Sequence, residues 1–337
     1  MRKSYVCAFA LMIGAIGFAQ NNQSTVEQKG SNGESKVVQD GQLNTAIQYQ
    51  TSNTGLVNIF QQGTSNYANQ DQDKQWQGNT SFDVNPSKMF MTIKQIGERN
   101  RAWQTQRWSS QTAIAEQRGN DNTSRQFQSG NHGNLAEVYQ RDNMHTATQN
   151  QTGETGSWVY INQSGYKNTA TQNQIKGIAN SAEARQSGAR NTSTQTQKGF
   201  GSFWGDKNIV KVNQSGNDNI ATQDQSNPGN IHGVYPNNIA EIIQSANDGL
   251  AVQNQYGLDG FQRIEQKNGR DNYGYQYQDV ASERGDARLM QNGSGNWSQQ
   301  WQYGTDNTSN VNQTGNGMWS KVTQSGAGNT NTVIQTN

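Results

Sequence analysis

Cysteine is nearly absent from this chain. Of its 337 residues one is cysteine, Cys7, and it lies in a short apolar leader. That leader reads as a signal peptide over residues 1–19. Arg2 and Lys3 give a positive n-region, Tyr5–Phe18 is apolar or small, and Gly17-Phe18-Ala19 offers a small-x-small site with cleavage before Gln20. The chain is therefore expected to be exported. Its mature part has no thiol for a disulfide, a nucleophile or a thiolate metal site, and no stretch beyond the leader is apolar enough to span a membrane.

Charge is scarce as well. With 15% charged residues and a net charge of +1, the chain shows neither the basic footprint of a nucleic-acid binder nor an acidic tail. Hydrophobic residues make up 30%, low enough to argue for disorder. The wealth of glutamine and asparagine would also suit a low-complexity tract. Periodicity has to decide between disorder and a repeat.

The period is clear at Ile161–Gln174, which reads INQSGYKNTATQNQ, two alternating runs joined by a Gly-to-Asn corner. The same skeleton recurs at Val37–Gln50, Ala184–Gln197 and Val212–Gln225. Corner markers fall at Gly41, Gly63, Gly97, Gly119, Asp142, Gly165, Gly188, Gly216, Ala246, Gly269, Gly293 and Gly315, mostly 22 or 23 residues apart. A repeat of this length filling the chain predicts a solenoid of about 12 coils rather than disorder. The mature chain, residues 20–337, is read as one domain.

Longer steps mark insertions near 73–91, 199–205 and 226–236. The three prolines, Pro86, Pro228 and Pro236, all sit in two of them. Proline cannot donate to a strand ladder, so its confinement to these segments implies that the rest is strand-paired. Within a unit the alternation is of period two: Asn134, Ala136, Val138 and Gln140 share one face, and His145, Ala147, Gln149 and Gln151 another. Period two means strands. The expected fold is all-β, a parallel two-sheet β-solenoid of strand–corner–strand coils with almost no helix outside the leader.

The face carrying Ala, Val, Ile, Ser, Gln and Asn is placed inside. Ile59, Ile93, Val138, Ile161, Val212, Ile242, Ile264, Leu289 and Val311 would form its apolar stripe. A buried amide without a partner is costly, but identical amides stacked about 4.8 Å apart can bond along the axis. The first strands are thus expected to hold one structural ladder: Gln39, Gln61, Gln95, Gln117, Gln140, Gln163, Gln186, Gln214, Gln244, Gln266, Gln291 and Gln313. The second strands hold another: Gln48, Gln70, Gln104, Gln126, Gln149, Gln172, Gln195, Gln223, Gln253, Gln276 and Gln300. Corners would be turned by Gly41, Gly63, Gly97, Gly119, Gly165, Gly188 and Gly216, supplying positive φ, with Asn44, Asn66, Asn100, Asn122, Asn168, Asn191 and Asn219 completing the turn.

The sequence shows no capping helix or charged plug at either extremity of the array. A soluble solenoid needs caps, and an uncapped heterologous edge generates open filaments. The repeated Q-x-G-x-x-N-x-A skeleton, over about Val26–Gln335, resembles the curlin repeat family, subunits of extracellular amyloid fibres of Gram-negative bacteria. The resemblance implies secretion through an outer-membrane pore, a nucleator subunit, homopolymeric assembly at the cell surface and a place in the biofilm matrix. This chain has many more units than the usual curlin, and its second strand carries a Gln-x-Gln doublet. The half-unit Asn208–Gln214 resembles the minor, nucleating curlin, but the expected role is that of the bulk fibre subunit.

Three other functions compete with this one. An enzyme needs convergent catalytic groups, yet His132, His145 and His232 are scattered, so no catalytic site, cofactor or metal is expected. Asp121, Asp218, Asp271 and Asp306 lie at corners that could suggest a calcium roll, but each corner has one Gly, and turn-forming Asp suffices. The third is a soluble solenoid binding ice or surface carbohydrate. Thr146/Thr148, Thr169/Thr171 and Thr192/Thr194 stack on an outer face, and Trp103, Trp297, Trp301, Trp319 and Tyr277 could make lateral contacts or hold matrix polysaccharide. Outward Lys94, Glu98, Arg118 and Glu137 would limit sideways sheet association.

Overall fold

A computed structural model describes residues 21–29, 33–51, 55–73, 89–107, 110–130, 133–199, 207–226, 237–280 and 282–337. The leader, the three prolines, His132, His232 and most of each insertion lie outside the described residues. The first insertion is shorter than its sequence boundaries: Asp73 ends one strand, and Met89 and Met91 already pair with Gly55 and Val57. The apolar alternation of Met89, Met91 and Ile93 extends the strand backwards from the repeat skeleton.

Strands run from β1 (Gln23–Gln28) and β2 (Glu34–Gln42) to β25 (Trp319–Ser325) and β26 (Thr330–Thr336). They form two 13-stranded sheets, odd-numbered strands in one and even-numbered in the other. Each strand pairs in parallel with the strand two places on in sequence, in register; Val138 lies on Ile161 and Gln140 on Gln163. The chain is thus an all-β parallel two-sheet solenoid in which each coil contributes one layer to both sheets. Among the described residues there is no helix, hence none long and apolar enough to cross a membrane.

Alternation sets the interior. Leu135–Arg141 buries Ala136, Val138 and Gln140 and turns Leu135, Glu137 and Tyr139 outward. The aliphatic residues of the even-numbered sheet pack on the alanines of the odd-numbered one: Ile59 and Ile93 meet Ala46, Ala68 and Ala102, and Ile242 and Ile264 meet Ala221 and Ala251. Large against small lets the two sheets approach closely at interior packing density. Where Leu289 takes the large position, the partner is Gly274, and a Cβ there would press on Leu289 Cδ2 at 2.8 Å.

The corners obey two separate constraints. Gly41, Gly63, Gly97, Gly119, Gly165 and Gly188 have positive φ, from 92° to 119°. Gly216 does not, so positive φ is not what this position requires throughout. At all seven, a Cβ would overlap the corner carbonyl of the next coil, which for Gly216 is Ala246 O. Space is the shared demand. The left-handed residue is the one before the Asn instead, for example Leu43 (φ 57°), Arg99 (54°), Asp121 (59°) and Asp218 (57°). Asp271 (58°) and Asp306 (53°) adopt the same conformation, which Asp tolerates better than most residues.

Candidate functional site

The two glutamine ladders start from one feature of the fold: residues in register sit one strand spacing apart, within reach of one primary amide. From Gln39 through Gln61, Gln95, Gln117, Gln140, Gln163, Gln186, Gln214, Gln244, Gln266, Gln291 and Gln313 to Gln335, each Nε2 donates to Oε1 of the next coil at 2.8–2.9 Å. The second amide hydrogen goes to a backbone carbonyl of the facing sheet, as from Gln140 to Thr123 O and from Gln163 to Thr146 O. That second bond fixes which amide atom is nitrogen, because a carbonyl can only accept. Every amide therefore points the same way, and the ladder has a direction.

The second-strand ladder behaves alike. Gln48, Gln70, Gln104, Gln126, Gln149, Gln172, Gln195, Gln223, Gln253, Gln276 and Gln300 are linked at 2.8–3.1 Å. A third ladder, which the sequence signalled only through its Gln-x-Gln doublet, runs from Gln28 through Gln50, Gln72, Gln106, Gln128, Gln151, Gln174, Gln197, Gln225, Gln255, Gln278 and Gln302 to Gln324 at 2.7–3.3 Å. All three share one polarity.

Gln262 shows what happens off the ladders. Its register neighbours are Ala240 and Ala287. It is buried, donates to Asn254 O at 3.1 Å, and its Oε1 has no hydrogen-bond partner among the described residues. Gln262→Met, which keeps the volume and removes the orphan, is expected to raise stability by about 1 kcal/mol. Chemical denaturation of the two proteins checks it.

Asparagine staples the corners. Asn66 N–H donates to Asn44 Oδ1 at 3.0 Å, while Asn44 Nδ2 donates to Gly63 O at 2.9 Å. Asn66, Asn100, Asn122, Asn191 and Asn219 likewise send Nδ2 to the next corner's carbonyl at 2.6–2.8 Å, and Asn168 does so at 3.1 Å. His145 occupies one rung of this series. Its Nδ1 accepts from Asn168 N–H at 3.2 Å and its Nε2–H faces Arg141 O at 2.6 Å, which sets the neutral Nε2–H tautomer. Burial holds the imidazole below its ordinary pKa of 6.5.

Protonation would turn Nδ1 into a second donor facing an N–H. A histidine whose folded pKa is depressed favours the neutral protein, so this contribution is whole above about pH 6.5 and is lost as pH falls below it. Protection of the amides at the Asn122–His145–Asn168 corner, taken relative to the intrinsic exchange rate at each pH, is expected to fall on acidification through that range. The variant His145→Asn, restoring the usual corner residue, removes the dependence.

The outer faces are sorted by position. The Thr146/Thr148, Thr169/Thr171 and Thr192/Thr194 pairs stack in register, and Thr123 and Thr222 extend the two ranks by one coil each. Trp103, Tyr277, Trp297, Trp301 and Trp319 all lie on the odd-numbered sheet, in two patches, while Tyr139, Trp158 and Tyr160 cluster on the even-numbered one. Trp103 lies with Tyr67 at 5.5 Å and under Arg125 at 4.8 Å. Far along the face, Tyr273, Trp297 and Trp319 stack at 5.7 and 5.1 Å. Of the outward charges, Lys94, Glu116 and Arg118 form an ion-paired group, and Glu137 accepts from Trp158 Nε1 at 3.0 Å.

The two ends of the layer stack differ in kind. At the β1/β2 end, Gln39 and Gln28 each donate inward and present Oε1 outward. At the β26 end, Gln335 accepts from Gln313, gives one hydrogen to Trp319 O and keeps the other for whatever lies beyond. The middle ladder stops short at both ends. Ser35 Oγ donates to Gln48 Oε1, Gln300 Nε2 donates to Ser309 Oγ at 2.8 Å, and the next register positions are Val26 and Val322. Fold and site together define a parallel β-solenoid with an amide-laddered interior, whose outermost strands have no further strand beside them among the described residues. No family model matches the chain, and no curated protein matches it.

Proposed function

We propose that this chain is a secreted structural subunit that polymerises end to end into an extracellular amyloid-type fibre of a biofilm matrix, in the manner of curlins. One observation carries the reading: two of the three amide ladders and both backbone ladders reach both ends of the stack, acceptors facing out at β1/β2 and a donor at β26. Such edges template a further strand. A second copy added head to tail extends every ladder without reversing any amide, and identical ladders perpendicular to a fibre axis are the architecture of cross-β. Catalysis has no part in this role; templating does the work.

The test is direct. Protein without residues 1–19, held at neutral pH, is expected to form unbranched thioflavin-binding fibres with a 4.7–4.8 Å meridional reflection. Protein that stays monomeric under seeding overturns the proposal. The flat threonine ranks favour a second reading, a soluble binder of ice or carbohydrate, and a monomer that shapes ice crystals would establish it instead.

A further inference from the structure

The two open ends carry more than unpaired backbone. Following the register outward, a copy stacked head to tail places β1 on β25 and β2 on β26. Gln28 then lies over Gln324 and Gln39 over Gln335. Gln335 has a hydrogen to give, and Gln324, whose Nε2 donates to Thr308 O and Asn329 O, would share one with Gln28 as Gln302 shares its own among Asp286 O, Asn307 O and Gln324, so the outer two amide ladders run on. The middle ladder does not. Its next positions are Val26 on one side and Val322 on the other, and these two side chains meet each other.

We infer that the joint between subunits is a distinct layer, with a valine–valine contact replacing one glutamine rung, and that this contact restricts addition to one head-to-tail register. The inference rests on end-to-end assembly. Within the chain every rung of this ladder from Gln48 to Gln300 is amide on amide, and it is closed internally by Ser35 and Ser309. A copy docking one layer out of place, or onto a fibre broken inside a subunit, sets a valine against a buried glutamine. That strands a donor or acceptor, which is costly. Only two intact ends present valine to valine.

The outer faces of the same layers agree. Lys321 would lie over Thr25, Thr323 over Glu27, Thr330 over Glu34 and Thr332 over Lys36, so no like charges meet. Ile334, 70% exposed, comes over Val38, 39% exposed, and each covers apolar surface of the other.

The experiment uses complementary mismatches. In Val322→Gln the new amide faces Val26 of the next copy; in Val26→Gln it faces Val322. Each variant alone is expected to elongate its own seeds at least about tenfold more slowly than wild type. An equimolar mixture restores growth, because alternating copies set glutamine on glutamine at one joint and valine on valine at the next. The double variant Val26→Gln/Val322→Gln also grows, with a glutamine rung at every joint, which excludes misfolding as the cause of the single defects. Single variants that elongate like wild type, or a mixture no faster than its components, overturn the inference. Wild-type protein that forms no fibre at all overturns the assembly proposal beneath it.

Discussion

Gln163→Leu is expected to open the solenoid in its middle while leaving the layers on either side folded. Gln163 is fully buried, accepts from Gln140 Nε2 at 2.9 Å and donates to Gln186 Oε1 at 2.8 Å. Leucine fills much of the volume but strands one amide hydrogen of Gln140 and the carbonyl oxygen of Gln186. Each orphan costs about 1–3 kcal/mol, so the local loss is about 2–6 kcal/mol. Stacked repeats communicate mainly with their neighbours, and hydrogen exchange should show the loss confined to the layers around Gln163. The control is Gln39→Leu at the half-exposed end, where Gln61 Oε1 and the exposed Gln23 O each lose a donor. Water can reach that site, and the cost should stay below about 1 kcal/mol. Equal losses at the two positions would mean that amide stacking is not what stabilises the interior.

Gly97→Ala should be nearly as damaging, for a different reason. Its φ is +119°, and an added Cβ would overlap Gly119 O, a backbone atom that cannot swing aside. Backbone strain of about 1–3 kcal/mol adds to displacement of the adjoining corner, for a total of about 3–5 kcal/mol. Gly317→Ala supplies the comparison. With φ +66° and nothing within 4 Å of the added carbon, it should cost about 1 kcal/mol. Thermal unfolding of the two variants separates a spatial demand from a purely conformational one.

The extent to which this was readable from the residues follows from what the period can and cannot carry. A strand repeat forces equivalent positions to stack, so the inward face of Asn134, Ala136, Val138 and Gln140 and the rungs containing Gln140 and Gln149 are legible in the residues alone. What the facing sheet imposes is not. That Gln163 turns its second hydrogen to Thr146 O, and so gives the ladder a direction, depends on a strand in the other sheet. The role of Gly216 was misread, because close approach to Ala246 O and positive φ leave the same residue in the sequence. Ser35, Ser309, Val26 and Val322 were missed since each breaks the pattern once, and a single departure carries no periodic signal. His145 stood out only as a histidine at an asparagine position; its tautomer comes from Arg141 O on one side and the Asn168 amide on the other.

Because all ladders run along one axis, resistance to force depends on how the load is applied. Tension spread across a whole layer must break a full set of backbone bonds in both sheets, the glutamine rungs and the corner staples together. The same chain tugged by one extremity peels away a coil at a time, each release needing little force. A material built this way would be stiff in bulk yet open to dismantling from a frayed tip, and that asymmetry is set by the parallel topology of the two sheets.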